Sequence, residues 1–194
     1  MSIPWPASQR YGLTPAPGGL GLAQDFLNTV GIGDYGPDLL SEGRLARAWA
    51  TDAARAWLTE RGIDVTPPEL SDADVARLRG LRDTITRLVT GESATADIGS
   101  VSARFALTDR GDVRLEPVGS GWRWYASALW TEILHSQHDN TWRRIKQCRN
   151  PRCASTFYDR SKNNSGVWHD VKTCGNAANL RASRARRHQP GVER

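Results

Sequence analysis

Cysteine is scarce in this 194-residue chain: there are three, all between positions 148 and 174. An odd, clustered set argues against a disulfide framework and for a metal. Long apolar runs are missing too. No stretch approaches the roughly 18 residues that cross a bilayer, so no membrane partner is expected. Met1 to Gly18 holds no basic stretch followed by an apolar one, so no secretory signal is visible and a cytoplasmic location is the expectation. Phosphate loops, nucleophile elbows and dinucleotide-binding glycine patterns are absent as well. What is present is 39% hydrophobic residues, enough for a core, and eight tryptophans, which supply large buried areas for few positions.

Charge is divided unevenly. Residues 141–194 hold 13 Lys and Arg against 3 Asp and Glu, whereas residues 1–140 hold 13 against 18. The sequence pI near 9.5 therefore combines an acidic body with a strongly basic end. A polyanion partner, DNA, fits that end; a solvated basic segment is the plainer alternative.

Periodicity predicts a mainly α chain with one small hairpin. Residues 1–18 read as an irregular arm. Leu22, Phe26, Leu27 and Val30 share one face of a helix over Leu20 to Val30. Ser41 reads as the cap of a second helix carrying Leu45 and Trp49. Thr51 reads as the cap of its continuation through Ala54, Trp57 and Leu58, with Gly62 as the stop. The clearest helix runs from Ser71 to Thr90, with Ser71 and Asp74 as a capping box. Residues 92–100 read as a loop or weak helix. Phe105, Leu107, Val113 and Leu115 alternate about a turn at residues 109–112, which predicts a hairpin. An aromatic helix spans Trp122 to His135, and a short helix is expected over Thr141 to Gln147.

The chemistry concentrates after that point. Cys148-x4-Cys153 is followed, fifteen residues later, by His169-x4-Cys174. Zinc takes four soft or borderline ligands in a tetrahedron, and two short-spaced pairs joined by a turn supply them. Arg149-Asn150-Pro151-Arg152 is the turn within the first pair. Thr156-Phe157-Tyr158 reads as a strand, Ser161 to Gly166 as a polar loop, and Cys174-Gly175-Asn176 as the start of a helix to about His188. The segment is too short to fold on apolar burial, so one structural zinc would supply its folding energy. Four protein ligands leave no place for a water, which points away from a catalytic metal, and no catalytic residue is assigned. His135, His138 and Asp139 form a second, weaker set, better explained as a polar helix end.

These residues resemble the CGNR zinc finger family. The resemblance lies in the Cys148 and Cys153 pair, Phe157-Tyr158-Asp159-Arg160-Ser161, Trp168-His169 and Cys174-Gly175-Asn176. The preceding body, with Asp25-Phe26-Leu27-Asn28-Thr29, is similar to the helical ABATE-type domain found before this finger. The resemblance implies a stress-linked, DNA-binding transcription regulator. In it a helical N-terminal domain, residues 1–140, packs against a small treble-clef-like zinc finger, residues 141–190. The sequence departs from the family pattern at His169, where Cys is usual, at Ala177, where the motif has Arg, and at Gly166 and Val167, where basic residues commonly stand.

Arg160, Lys162, Lys172, Asn179, Arg181, Arg184, Arg186 and Arg187 are the candidate nucleic-acid contacts. The first two lie on the polar loop and the others about the final helix. The alternative is a small-molecule-binding protein or biosynthetic enzyme. Its pocket would be lined by Trp49, Trp57, Trp122, Trp124 and Trp130, and its zinc finger would be purely structural. A small-molecule effector and a homodimer are further expectations.

Overall fold

A computed structural model describes residues 5–33, 36–92 and 100–188, with the side chains of 182, 183 and 185–188 excepted. In chain order the elements are α1 (Pro6–Gln9), α2 (Leu20–Leu27), α3 (Gly43–Arg61), α4 (Asp72–Thr90), β1 (Ala103–Leu107), β2 (Val113–Pro117), α5 (Trp122–His138), β3 (Ile145–Gln147), β4 (Thr156–Tyr158) and α6 (Asn176–His188). The mainly helical class with a small hairpin is what the periodicity predicts.

Every residue of α2 is buried. A helix surrounded on all sides must satisfy its polar side chains inside the protein, and α2 and the two residues after it do so. Asp25 accepts from the Ser8 amide at 2.7 Å and the Trp49 indole at 2.9 Å. Burial raises its pKa, against those two donors. Gln24 accepts from the Ala16 amide at 2.5 Å. Thr29 accepts from Arg82, which also pairs with Asp38 at 2.6 Å. The Asp-Phe-Leu-Asn-Thr stretch is thus a packing motif whose polar groups each hold a different part of the chain.

Three expectations are corrected here. The N-terminal arm, described from Trp5 onward, is tied down: Trp5, Ala7, Tyr11, Leu13 and Ala16 are buried, and α1 lies within it. Its residues 1–4 fall outside the described set, as do 93–99 of the stretch read as a loop or weak helix. Second, no break occurs at Thr51. The helix α3 runs unbroken from Gly43, because Ala46, Ala50, Ala53 and Ala54 carry it past Thr51 and lie buried on the same helix as Trp49 and Trp57. Its N-cap is Glu42 without a side-chain bond, while the Ser41 hydroxyl donates to the Asp38 carbonyl. Third, only Trp142–Arg144 is helical before the first cysteine, and Ile145–Gln147 is a strand.

The capping box at Ser71 is present, and Asp74 serves two helices. Its carboxylate accepts from the Ser71 amide at 2.8 Å and, from across the fold, the Trp122 amide at 3.2 Å at the start of α5. Gly121, at φ 51°, allows this approach: a Cβ there would lie 2.5 Å from an Asp74 oxygen.

The hairpin pairs β1 with β2 antiparallel, Phe105 opposite Leu115 and Leu107 opposite Val113. Its turn lies at residues 109–112, as alternation predicts. Trp49, Trp57 and Trp124 are core residues: Trp57 meets Trp124 edge-on at 5.8 Å, and Tyr125 lies between Trp49 and Trp124. Trp122 and Trp130 pack half-buried against the same core. The Trp57 indole donates to Glu132 at 2.7 Å, which Arg61 also pairs.

Candidate metal centre

The C-terminal segment is built on a two-stranded sheet, β3 antiparallel to β4. Between the strands the chain forms the knuckle of Cys148 and Cys153. The Asn150 carbonyl accepts from the amides of Cys153 at 2.8 Å and Ala154 at 3.0 Å, and Ala154 takes a left-handed φ of 53°. The loop after β4 returns to the knuckle, where the Arg149 amide donates to the Val167 carbonyl at 3.0 Å. A wide helical turn over Val171–Gly175 then carries Cys174, started by the Asp170 carboxylate accepting from the Thr173 amide. Gly175 lets the turn press on Trp168: a Cβ there would lie 3.2 Å from the indole.

Folding in this way brings Cys148, Cys153, His169 and Cys174 together. Their ligand atoms all lie within 4.8 Å of one another, and His169 Nδ1 is 3.3 Å from Cys153 Sγ. Zinc–sulfur bonds of about 2.3 Å in a tetrahedron place sulfurs about 3.8 Å apart, so the cluster has the dimensions of one metal site. Cys148 and Cys174 are buried and no disulfide joins the three cysteines. Burial, reinforced by Cys153 and Cys174, pushes the Cys148 thiol up to about 12. Crowded, buried thiols of this kind ionise readily only against a cation. The donor set fits one structural zinc.

Around the cluster, Tyr11, Leu13 and Ile32 from the N-terminal part join Phe157, Cys148 and Cys174 in a small apolar core. Comparison with protein-family models matches residues 144–187 to the CGNR zinc finger. The same comparison matches residues 20–136 to ABATE, described as "Putative stress-induced transcription regulator". The chain belongs to the ABATE family. Its C-terminal segment is a CGNR zinc finger. No curated protein matches the chain.

In this ABATE protein the helical body and the finger are joined by a side chain of the Asp25-Phe26-Leu27-Asn28-Thr29 stretch. Asn28 donates to the Thr156 carbonyl at 2.8 Å and accepts from the Thr156 amide at 2.9 Å. Beside this joint a cavity of about 320 Å³ lies between the two parts, bordered by Ile32, Arg82, Thr86, Gln147 and Arg152.

The candidate basic residues have different surroundings. Lys162, Lys172 and Arg184 are exposed, as is Asn179. Arg160 is exposed, stacked over Tyr158 and donating to the Pro15 carbonyl at 2.6 Å. Arg181 is half-buried and donates to Asn150 Oδ1 at 2.6 Å. The side chains of Arg186 and Arg187 lie outside the described set. His135 and His138 stand in the last turn of α5, apart from the zinc cluster.

Charge counting also overlooked interior work by basic residues. Lys146 reaches Asp159 at 2.7 Å, and Arg144 donates to the carbonyls of Asp159 and Ser161. Burial opposes ionisation of Asp159, but Lys146 and the Ser161 and Gly166 amides outweigh it and hold its pKa well below the carboxylate range. Gly166, at a slot where the family commonly has a basic residue, packs against that carboxylate; a Cβ there would lie 2.7 Å from Asp159 Oδ1. No local signal in the sequence marks Lys146 or Asn150. Only the position of Asn150 inside the knuckle draws attention to it.

Proposed function

We propose that the protein is a zinc-dependent regulator that contacts DNA through the basic surface of its finger, with Cys148, Cys153, His169 and Cys174 holding the metal. The observation that carries this reading is the set of exposed cations about α6 and the loop before it. Lys162, Lys172 and Arg184 are solvent-facing, and among the described residues none forms an ion pair. Arg160 extends the set, and the exposed Arg149 and Arg152 lie on the knuckle. Cations not held in ion pairs are available to neutralise phosphates, although Asp170 stands near Lys172. The missing basic residues at Gly166, Val167 and Ala177 make this surface poorer in charge than the family pattern, so modest affinity with a shallow salt slope is expected.

The test is a gel shift of the zinc-loaded protein on its own upstream region at several salt concentrations. Binding that weakens as salt rises, and that Lys172→Ala with Arg184→Ala reduces, supports the reading. Absent binding, or binding indifferent to salt and to that pair, sinks it.

A further inference from the structure

We infer that Arg181 acts on the metal centre rather than on a partner, as a positioning residue that works through Asn150. The link is continuous. Arg181 donates to Asn150 Oδ1 at 2.6 Å, and Asn150 Nδ2 donates to Cys174 Sγ at 3.1 Å. Asn150 is 7% exposed, so its amide has little access to water and depends on these partners. The same oxygen accepts from the Arg152 amide at 3.2 Å, while the Asn150 carbonyl shapes the turn between Cys148 and Cys153. One residue therefore touches the backbone of the first ligand pair and the sulfur of the last ligand.

Helix geometry explains why Arg181 is the residue that reaches it. Cys174 ends the wide turn that leads into α6, and the bond from Arg181 to Asn150 shows which face of α6 is turned to the knuckle. Ala177, where the family motif has an arginine, lies four positions before Arg181 in α6, about one turn earlier on the same face, and offers no charge. Arg181 brings a guanidinium to the same side of the helix.

The chemistry follows from the direction of the bonds. A cation on the amide oxygen polarises the carboxamide and makes its N–H a better donor to sulfur. Three thiolates and a neutral imidazole around zinc leave a net charge of about −1. A charge-assisted bond relayed to Cys174 offsets part of it and fixes the direction of that sulfur. Outer partners of this kind typically change metal affinity by about 10- to 100-fold when removed. The link also anchors the helix that bears Arg184 to the metal site. The inference stands on the zinc site alone and does not depend on nucleic-acid binding.

The experiment uses the full chain loaded with zinc, and separately with cobalt(II), whose thiolate charge-transfer and d–d bands report ligand geometry. Zinc affinity is measured by competition with a chromogenic chelator. Arg181→Ala is expected to lower affinity about tenfold or more and to shift the cobalt bands, Arg181→Lys to recover part of both, and Arg184→Ala to change neither. In an Asn150→Ala background, Arg181→Ala is expected to add little, because the relay is already broken. Wild-type affinity and spectrum in Arg181→Ala would overturn the inference. So would an equal effect of Arg184→Ala, or full additivity with Asn150→Ala. The near-ultraviolet tryptophan signal of each variant checks that its chain is folded.

Discussion

Removing the Asn28 carboxamide breaks two hydrogen bonds to Thr156 at once, leaving the buried Thr156 N–H unpaired and its C=O with only the long 3.5 Å bond from Gln24. Asn28→Ala is therefore expected to cost about 1 to 3 kcal/mol, the penalty of one buried group left unpaired and a second left weakly paired. Denaturant unfolding measures the cost. Native-state hydrogen exchange gives the location, because the Thr156 amide should lose protection in the variant before the amides of α4 do. An unchanged Thr156 exchange rate would show that the joint is held elsewhere. At this scale the sequence displayed ligands but not partners. The spacing of Cys148, Cys153, His169 and Cys174 is local and its chemistry is restrictive, so those four could be read directly. Asn28 and Thr156 are 128 positions apart, and no composition or period connects them. The bond from Arg181 to Asn150 spans 31 positions and is equally invisible to spacing.

Among the elements, those whose signals are short-range were legible: the capping box at Ser71 and Asp74, the hairpin about residues 109–112, and the strand Thr156–Tyr158. The strand Ile145–Gln147 was not, because three residues carry no period and its partner comes only after the knuckle. The break expected at Thr51 failed because a cap residue inside an alanine-rich run does not stop a helix whose other face is buried. The start of α5 offers a test at this scale. Gly121→Ala must bear both a left-handed φ and a close approach to the Asp74 carboxylate, which is already bonded to two amides. A loss of about 1 to 3 kcal/mol is expected, read as a lower denaturant midpoint with unchanged slope. An equally stable variant would show that α5 can start one residue later at no cost.

For the molecule as a whole, the two parts are stabilised by different means. The body has a contiguous apolar core from Trp5 to Ile133 that also takes in Ile145 of β3, whereas the zinc cluster is packed in a second core of six buried apolar or sulfur-bearing residues, three of them contributed by the N-terminal part. Chelation of zinc should therefore remove exchange protection from β3, β4 and α6 while the tryptophan near-ultraviolet signal of the body persists. Collapse of both in one transition would mean that the chain unfolds as a unit. Acid should act in the same direction as the chelator. The Cys148 thiol lies at about 12 before metal binds, so zinc uptake releases protons, and affinity rises with pH and falls as pH drops. Zinc titrations at pH 6 and pH 8 check the sign. Equal affinity at both would argue against thiolate ligation.

Thr156 turns its amide and carbonyl away from β3, toward the outer edge of the small sheet, and there the Asn28 carboxamide meets both groups as a neighbouring strand would. An open edge is a template on which another chain can pair. Asn28 acts as a strand one residue long that closes that edge at Thr156. A finger cut from its body would expose it, and self-association of the isolated finger would then report the loss of a guard rather than a property of the finger itself.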